Sequence, residues 1–164
     1  MTSLKQSNCA TARTGGCQCG RVRYRITSPL GKAGICHCRM CQKAFGNFGA
    51  ALVSVDLAGF EWTRGKPAEF RSSAIVQRGF CPACGTPLYM REAGDSNIEM
   101  AIGTFDNPNA ISAMTDQLGI ESKVGWFDAM PALPAQTTAD DRTPEDLARL
   151  ASLQHPDHDT EHWP

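Results

Sequence analysis

Between Gly15 and Ile102, apolar and polar residues alternate in short runs that end at Gly, Pro, Asp or Asn. A period of two places successive side chains on opposite faces of an extended chain, so this pattern predicts strands. Seven are expected: Arg21 to Ile26, Ala50 to Val55, Phe60 to Thr63, Ala68 to Arg71, Ile75 to Phe80, Leu88 to Arg91 and Ile98 to Ile102. The first alternates basic and apolar residues, which puts Arg21, Arg23 and Arg25 on one solvated face. Arg39 to Phe45 has no β-branched residue and is expected to wind a helical turn. The reading is a mainly β domain with short helical segments.

Two ends break the pattern. Met1 to Thr14 is small and polar and reads as a flexible leader (1–14), with Cys9 as an exposed thiol inside it. The β-patterned domain occupies 15–130, and 131–164 reads as an extension with its own composition. There, Thr143-Pro144-Glu145-Asp146 is a helix start, with Thr143 as cap, proline at the first helical position and acids in the first turn. Leu147, Leu150 and Leu153 predict one C-terminal helix with an apolar face, ended by Pro156. The remainder, rich in acids and in His155, His158 and His162, reads as a disordered tail, with a metal role for these histidines as a minor option.

At 164 residues with a formal charge of −1, the chain is one domain, long enough to bury roughly 68–70% of its unfolded surface. It does not need disulfides for want of a core. No secretory or membrane-spanning stretch is evident, so a soluble, cytoplasmic protein is expected. In that reducing setting eight cysteines point to metal or catalysis. Nucleic-acid binding is disfavoured by the absence of a basic balance. Loading two thiolate sites with Zn²⁺ makes the balance more acidic still. Four thiolates with one ion add two negative charges and three with another add one, taking the total to about −4.

Seven of the cysteines fall into three groups: Cys17-Gln18-Cys19, Cys36-His37-Cys38-Arg39-Met40-Cys41 and Cys81-Pro82-Ala83-Cys84. Two short pairs from distant segments make a closed tetrahedral zinc site, so Cys17, Cys19, Cys81 and Cys84 are expected to form a structural staple. Cys36, Cys38 and Cys41 supply three sulfurs, the ligand count of a zinc that keeps one position for water or substrate. His37 is an alternative fourth ligand, although its place between two converging cysteines directs it away. A three-thiolate site suits holding a sulfur nucleophile or polarising a carbonyl. A second closed zinc, or a trio of buried cysteines without metal, is the structural alternative.

Three blocks carry a resemblance: Gly15-Gly16-Cys17-Gln18-Cys19-Gly20-Arg21-Val22-Arg23-Tyr24, Cys36-His37-Cys38-Arg39-Met40-Cys41-Gln42-Lys43, and Arg78-Gly79-Phe80-Cys81-Pro82-Ala83-Cys84-Gly85-Thr86-Pro87-Leu88. In order and cysteine count they resemble the glutathione-dependent formaldehyde-activating family. That resemblance implies zinc-containing, β-tent-like sheets and an S-(hydroxymethyl)glutathione synthase-like activity, a carbon–sulfur lyase acting in reverse on glutathione and formaldehyde or a related small aldehyde. It also implies structural zinc at Cys17, Cys19, Cys81 and Cys84 and a catalytic site at Cys36, Cys38 and Cys41.

Glutathione, as co-substrate, brings two carboxylates, for which Arg39, Lys43, Arg78 and Lys123 are candidate anchors. Gln42 and Phe45 depart from the family, whose members often carry a basic residue and a serine there; Phe45 is expected to narrow the pocket. Trp126 and Phe127 are candidate pocket walls. The expected partners are a small-molecule thiol and aldehyde, with neither nucleic acid nor membrane. The rival reading is a zinc-stabilised binding or redox-sensing module without turnover.

Overall fold

All seven expected strands form, with bounds shifted by at most two residues, because each has β-branched or aromatic residues that fit a half-buried pleat. The computed structural model describes residues 12–163. Its strands are β1 (Arg13–Gly16), β2 (Arg23–Ile26), β3 (Leu30–Cys36), β4 (Ala50–Asp56), β5 (Phe60–Arg64), β6 (Ala68–Arg71), β7 (Val76–Phe80), β8 (Pro87–Glu92), β9 (Asn97–Ala101) and β10 (Asp116–Leu118). They make a three-stranded sheet, β1-β2-β5, and a seven-stranded sheet, β10-β3-β4-β9-β8-β7-β6. All pairings are antiparallel except β10 on β3, which is parallel. The helices are short: α1 (Arg39–Phe45) and α2 (Pro144–Arg149), with five 3₁₀ turns between elements.

The core lies between the sheets. Tyr24 and Ile26 of β2 are fully buried against a cluster that includes Val53, Val55, Leu88 and Met100 of the larger sheet. Each such side chain contributes about 1.5–3 kcal/mol on burial. Trp62 on β5 meets Tyr89 of β8 across the gap in a tilted contact, ring centres 5.9 Å apart. Tyr24 itself meets Phe60, Trp62 and Phe105 at 5.6–6.1 Å.

β4 shows how the larger sheet gains a second working face. Val53 and Val55 point into the core, whereas Ala50 and Leu52 point outward and pack with Cys41, Met90 and Phe45. That outer cluster seats α1.

Arg23 departs from the solvated face expected of it. A register irregularity between Arg23 and Tyr24 against β5 breaks the alternation, so Val22, Arg23 and Tyr24 are buried in succession. Arg23 is 3% exposed and forks onto both oxygens of Asp106, at 2.8 and 2.5 Å. The same guanidinium reaches Asp159 at 2.7 Å. Burial works to raise the Asp106 pKa, but hydrogen bonds from Arg23 and Thr14 overcome it and hold the group below the usual carboxylate range.

Asp159 belongs to the segment expected to be a loose tail, and that expectation is corrected here. His155 is 7% exposed, donates its amide to the Gln18 carbonyl at 2.9 Å, and stacks edge-on against Trp163 at 4.9 Å. Its Nδ1 donates to the Pro156 carbonyl at 2.7 Å, leaving Nε2 to accept from the Thr160 hydroxyl at 3.0 Å. Gly20 makes room for it: at φ 72°, a Cβ there would lie 2.3 Å from the His155 ring. His158 and His162 are exposed.

The C-terminal helix is also shorter than expected. It ends at Arg149 rather than near Pro156, and Leu150 and Leu153 stand 55% and 94% exposed. Among the described residues no apolar surface covers those leucines, so there is nothing to extend the helix. Arg13 and Thr14 lie in β1, inside the region expected as leader; Cys9 lies outside the described residues.

Two outcomes follow. Arg23→Met strands a buried carboxylate and costs about 3–5 kcal/mol in chemical denaturation, whereas Asp159→Asn, at a half-exposed partner, costs about 1 kcal/mol or less. His155 has a depressed pKa, from burial first and the Arg23 charge next. Docking of the tail is therefore complete above the ordinary histidine value near 6.5 and weakens as the pH falls below it. The Trp163 indole NMR resonance should move toward its free position on acidification below about pH 6, and His155→Gln should remove that pH dependence.

Candidate metal centres

Two turns build the first centre. Cys17-Gln18-Cys19-Gly20, after β1, closes with the Gly20 amide on the Cys17 carbonyl at 3.0 Å. Cys81-Pro82-Ala83-Cys84-Gly85, between β7 and β8, closes in the same way at 2.9 Å. The four sulfurs all lie within 4.8 Å of one another, with Cys17 and Cys19 at 3.6 Å and Cys19 and Cys81 at 3.8 Å. A tetrahedron with metal–sulfur arms of about 2.3 Å has edges of about 3.8 Å, so the spacing fits zinc and is far too long for a disulfide bond of about 2.05 Å.

The protons of this set are shared unequally. Burial lifts the Cys17 thiol to about 12. Cys84 moves the other way, to about 6: burial opposes the shift, but the Thr86 hydroxyl, 3.1 Å from its sulfur, and backbone amides outweigh it. The Cys84 thiolate forms readily, whereas Cys17 and Cys19, both raised chiefly by burial, favour the thiol until a cation arrives.

The second centre sits where β3 runs into α1. Cys36 is the last residue of β3, Cys38 caps α1, and Cys41 lies in its first turn. The Cys38 sulfur takes the place of an oxygen cap, accepting the Cys41 amide at 3.4 Å. Cys36 and Cys38 sulfurs are 3.4 Å apart, and the three sulfurs converge within 4.8 Å. Burial raises the Cys36 thiol to about 12. For Cys38, burial is outweighed by hydrogen bonds and the Arg78 charge, and its pKa falls.

His37 is not a fourth ligand of this set. Fully buried, it turns away, with Nε2 donating to the Gln117 side-chain oxygen at 3.1 Å and its ring edge-on to Phe127 at 4.6 Å. Among the described residues the cluster holds three sulfurs and no fourth protein donor, the donor set of an open metal site.

A surrounding clamp, largely unread in the sequence, fixes these sulfurs. β10 pairs with β3, and the His37 amide donates to the Leu118 carbonyl at 2.7 Å. Gly119 follows at φ 65°, with a position for Cβ only 2.6 Å from the Cys38 nitrogen, so any larger residue would push the loop. Gln42, 5% exposed, donates to the His37 and Ser122 carbonyls at 2.6 and 2.8 Å. Gln42 thus fastens α1 to the segment after β10. Phe45 packs on Cys41, Ala50 and Leu52.

The four candidate anchors separate. Arg78, 6% exposed, donates from Nη2 to the Cys41 sulfur at 3.4 Å and from Nε to Ser72 at 3.0 Å. Its Nη1 is buried without a partner. Arg39 bonds the Gln42 side-chain oxygen and, with Lys43, Phe48, Val124 and Trp126, lines a shallow cavity of about 450 Å³. Lys123 is held by Asp128 at 2.8 Å and lies over the Phe127 ring. A larger groove, about 740 Å³, crosses the outer face of the seven-stranded sheet and reaches Cys36, over Leu52 and Met90.

Among the described residues no helix is long and apolar enough to cross a membrane. The two centres make different demands on the fold, and mutation separates them. Cys81→Ser removes one corner of the closed set and is expected to lower the thermal midpoint steeply, since closure of such sites carries on the order of 10–16 kcal/mol of binding energy in peptides. Cys38→Ser should leave the midpoint nearly unchanged while native mass spectrometry shows the loss of one bound metal.

No curated protein matches the chain significantly. A crystal structure of a Rhodobacter sphaeroides protein superposes with a TM-score of 0.50 at 19% identity, covering 62% of this chain and 96% of that one, a likeness of fold. The model of the family described as glutathione-dependent formaldehyde-activating enzyme matches residues 12–118, which span β1 to β10 and both cysteine sets. The chain belongs to the glutathione-dependent formaldehyde-activating enzyme family.

Proposed function

We propose that the protein is a zinc-dependent carbon–sulfur lyase acting in the direction of synthesis, adding the thiol of glutathione, or a related thiol, to formaldehyde or a related small aldehyde. The observation that carries this reading is the convergence of three sulfurs, without a fourth protein ligand among the described residues, at the end of a groove wide enough for a small molecule. Zinc held by Cys36, Cys38 and Cys41 would supply Lewis acidity and favour the ionised form of a bound thiol.

The protein's own residues set the conditions for the step. In it the sulfur forms a bond to the carbonyl carbon, the carbonyl π pair moves to oxygen, and the proton lost by the thiol ends on that oxygen. Leu52 and Met90 give an apolar floor beside Cys36, which limits water around the reacting carbon. Arg78 places a positive charge on Cys41. A hydrogen bond from a cation draws electron density off a ligating sulfur, which counters the low Lewis acidity of a three-thiolate site. The clamp from Gln42 and Gly119 holds Cys38 at a fixed distance from Cys36.

Adduct formation from glutathione and formaldehyde, measured against the uncatalysed rate, tests the reading. Zinc-loaded protein should exceed background and Cys38→Ala should fall to it; equal rates for the two, both at background, would leave a metal-stabilised module without turnover. Arg78→Met should lower the rate by about 10–100-fold, the usual effect of removing a partner of a metal ligand, with partial recovery in Arg78→Lys.

A further inference from the structure

The groove that reaches Cys36 is acidic, and of the four basic residues expected to receive glutathione three lie elsewhere, while Arg78 is engaged with Cys41 and Ser72. Its lining holds Glu92, Asp95, Glu99 and Asp116 against Lys32 and Arg91. Lys32 is 3.8 Å from Asp116, and Arg91 spends a donor on the Asp95 main-chain carbonyl rather than on a carboxylate. Arg39 and Lys43 open into the separate shallow cavity, and Lys123 is neutralised by Asp128.

The register of the sheet places these groups relative to the sulfurs. Cys36 pairs with Ala50, and Ser54, four residues further along β4, pairs with Glu99 on β9; Glu99 in turn pairs with Met90 on β8. Four residues of strand span about 13 Å. Glu99 therefore lies at the distance where the far end of a tripeptide-sized thiol would sit if its sulfur were at Cys36, whereas Asp116, paired with Gly34 two residues from Cys36, lies closer in. Near the sulfurs the floor is apolar; away from them it is negative. The pKa of half-buried Glu99 is raised, by burial first and also by the charges of Asp95 and Glu92, against a hydrogen bond from Ser54, so these groups share one field.

Glutathione carries two carboxylates and one ammonium. Each carboxylate placed in this groove would lose water and meet like charge, with both effects opposing binding. We propose that the groove selects a thiol of about this length whose far end is positively charged and lacks free carboxylates, and that it discriminates against glutathione itself. The inference rests on the reading of Cys36, Cys38 and Cys41 as the site of carbon–sulfur chemistry.

Three probes share one thiol and one backbone length: glutathione, its monoethyl ester and its diethyl ester, with net charges of about −1, 0 and +1 at neutral pH. Each is titrated into the cobalt-loaded protein, and binding is read from the change in the sulfur-to-cobalt absorption bands. The diethyl ester should bind about tenfold or more tighter than glutathione, the monoester should fall between, and added salt should narrow the gap. In Glu92→Gln/Glu99→Gln, which keeps side-chain shape, the order should collapse.

Glutathione binding as well as its esters, or the same order persisting in the double variant, would overturn the charge selection and leave the carbon–sulfur reading standing. A failure of all three thiols to perturb the cobalt bands would remove both.

Discussion

The meeting of four sulfurs from two turns, at Cys17 and Cys19 beside the small sheet and Cys81 and Cys84 beside the large one, is the constraint on which the fold depends. Two sheets of unequal size must keep Tyr24, Ile26 and Trp62 against Val53, Met100 and Tyr89. Apolar contact alone does not fix how such sheets are angled, whereas a tetrahedral cation at their shared edge would. The buried fork of Arg23 on Asp106 and the docked tail stand on the same edge. Gln18, in the middle of the first turn, receives the His155 amide there, so the tail seals the side of the staple that the sheets leave open.

What was legible in the sequence followed from local rules. Cysteine spacing located both sulfur sets, Thr143-Pro144 marked a helix start, and alternation located seven strands. β3, with its two glycines and a lysine, and β10, three polar-flanked residues long, carry little local preference and exist because a neighbour completes them. Arg23 and the histidine tail were misread for a related reason. A charged residue is read as exposed unless its counterion is known, and Asp106 and Asp159 lie 83 and 136 residues away. Likewise, nothing near Leu150 or Leu153 in sequence shows that no surface waits for them.

The second sulfur set gains its character from what surrounds it. A cation touches Cys41, an apolar floor adjoins Cys36, and acids lie further along the same sheet face. Arg39 and Lys43, one turn along α1 from each other, share a face that opens into the other cavity with Trp126. The sequence places cations and cysteines side by side, but a helix turning 100° per residue sends adjacent side chains in different directions. Proximity along the chain therefore says little about which of them a bound molecule meets.

The parallel pairing of β10 with β3 bears on the order in which the molecule matures. Hairpin pairs such as β7 with β8 close short loops, whereas Asp116 must find Gly34 across about eighty residues, a contact whose entropic cost is met only after other structure has formed. The Leu118 carbonyl and Gly119, which brace the Cys36 to Cys41 loop, arrive with that strand. A nascent chain would thus present the four-sulfur staple as a competent chelator before the three-sulfur site has its final shape. In a cell where metal is scarce, an ion would be captured at the four-sulfur set ahead of the three-sulfur one.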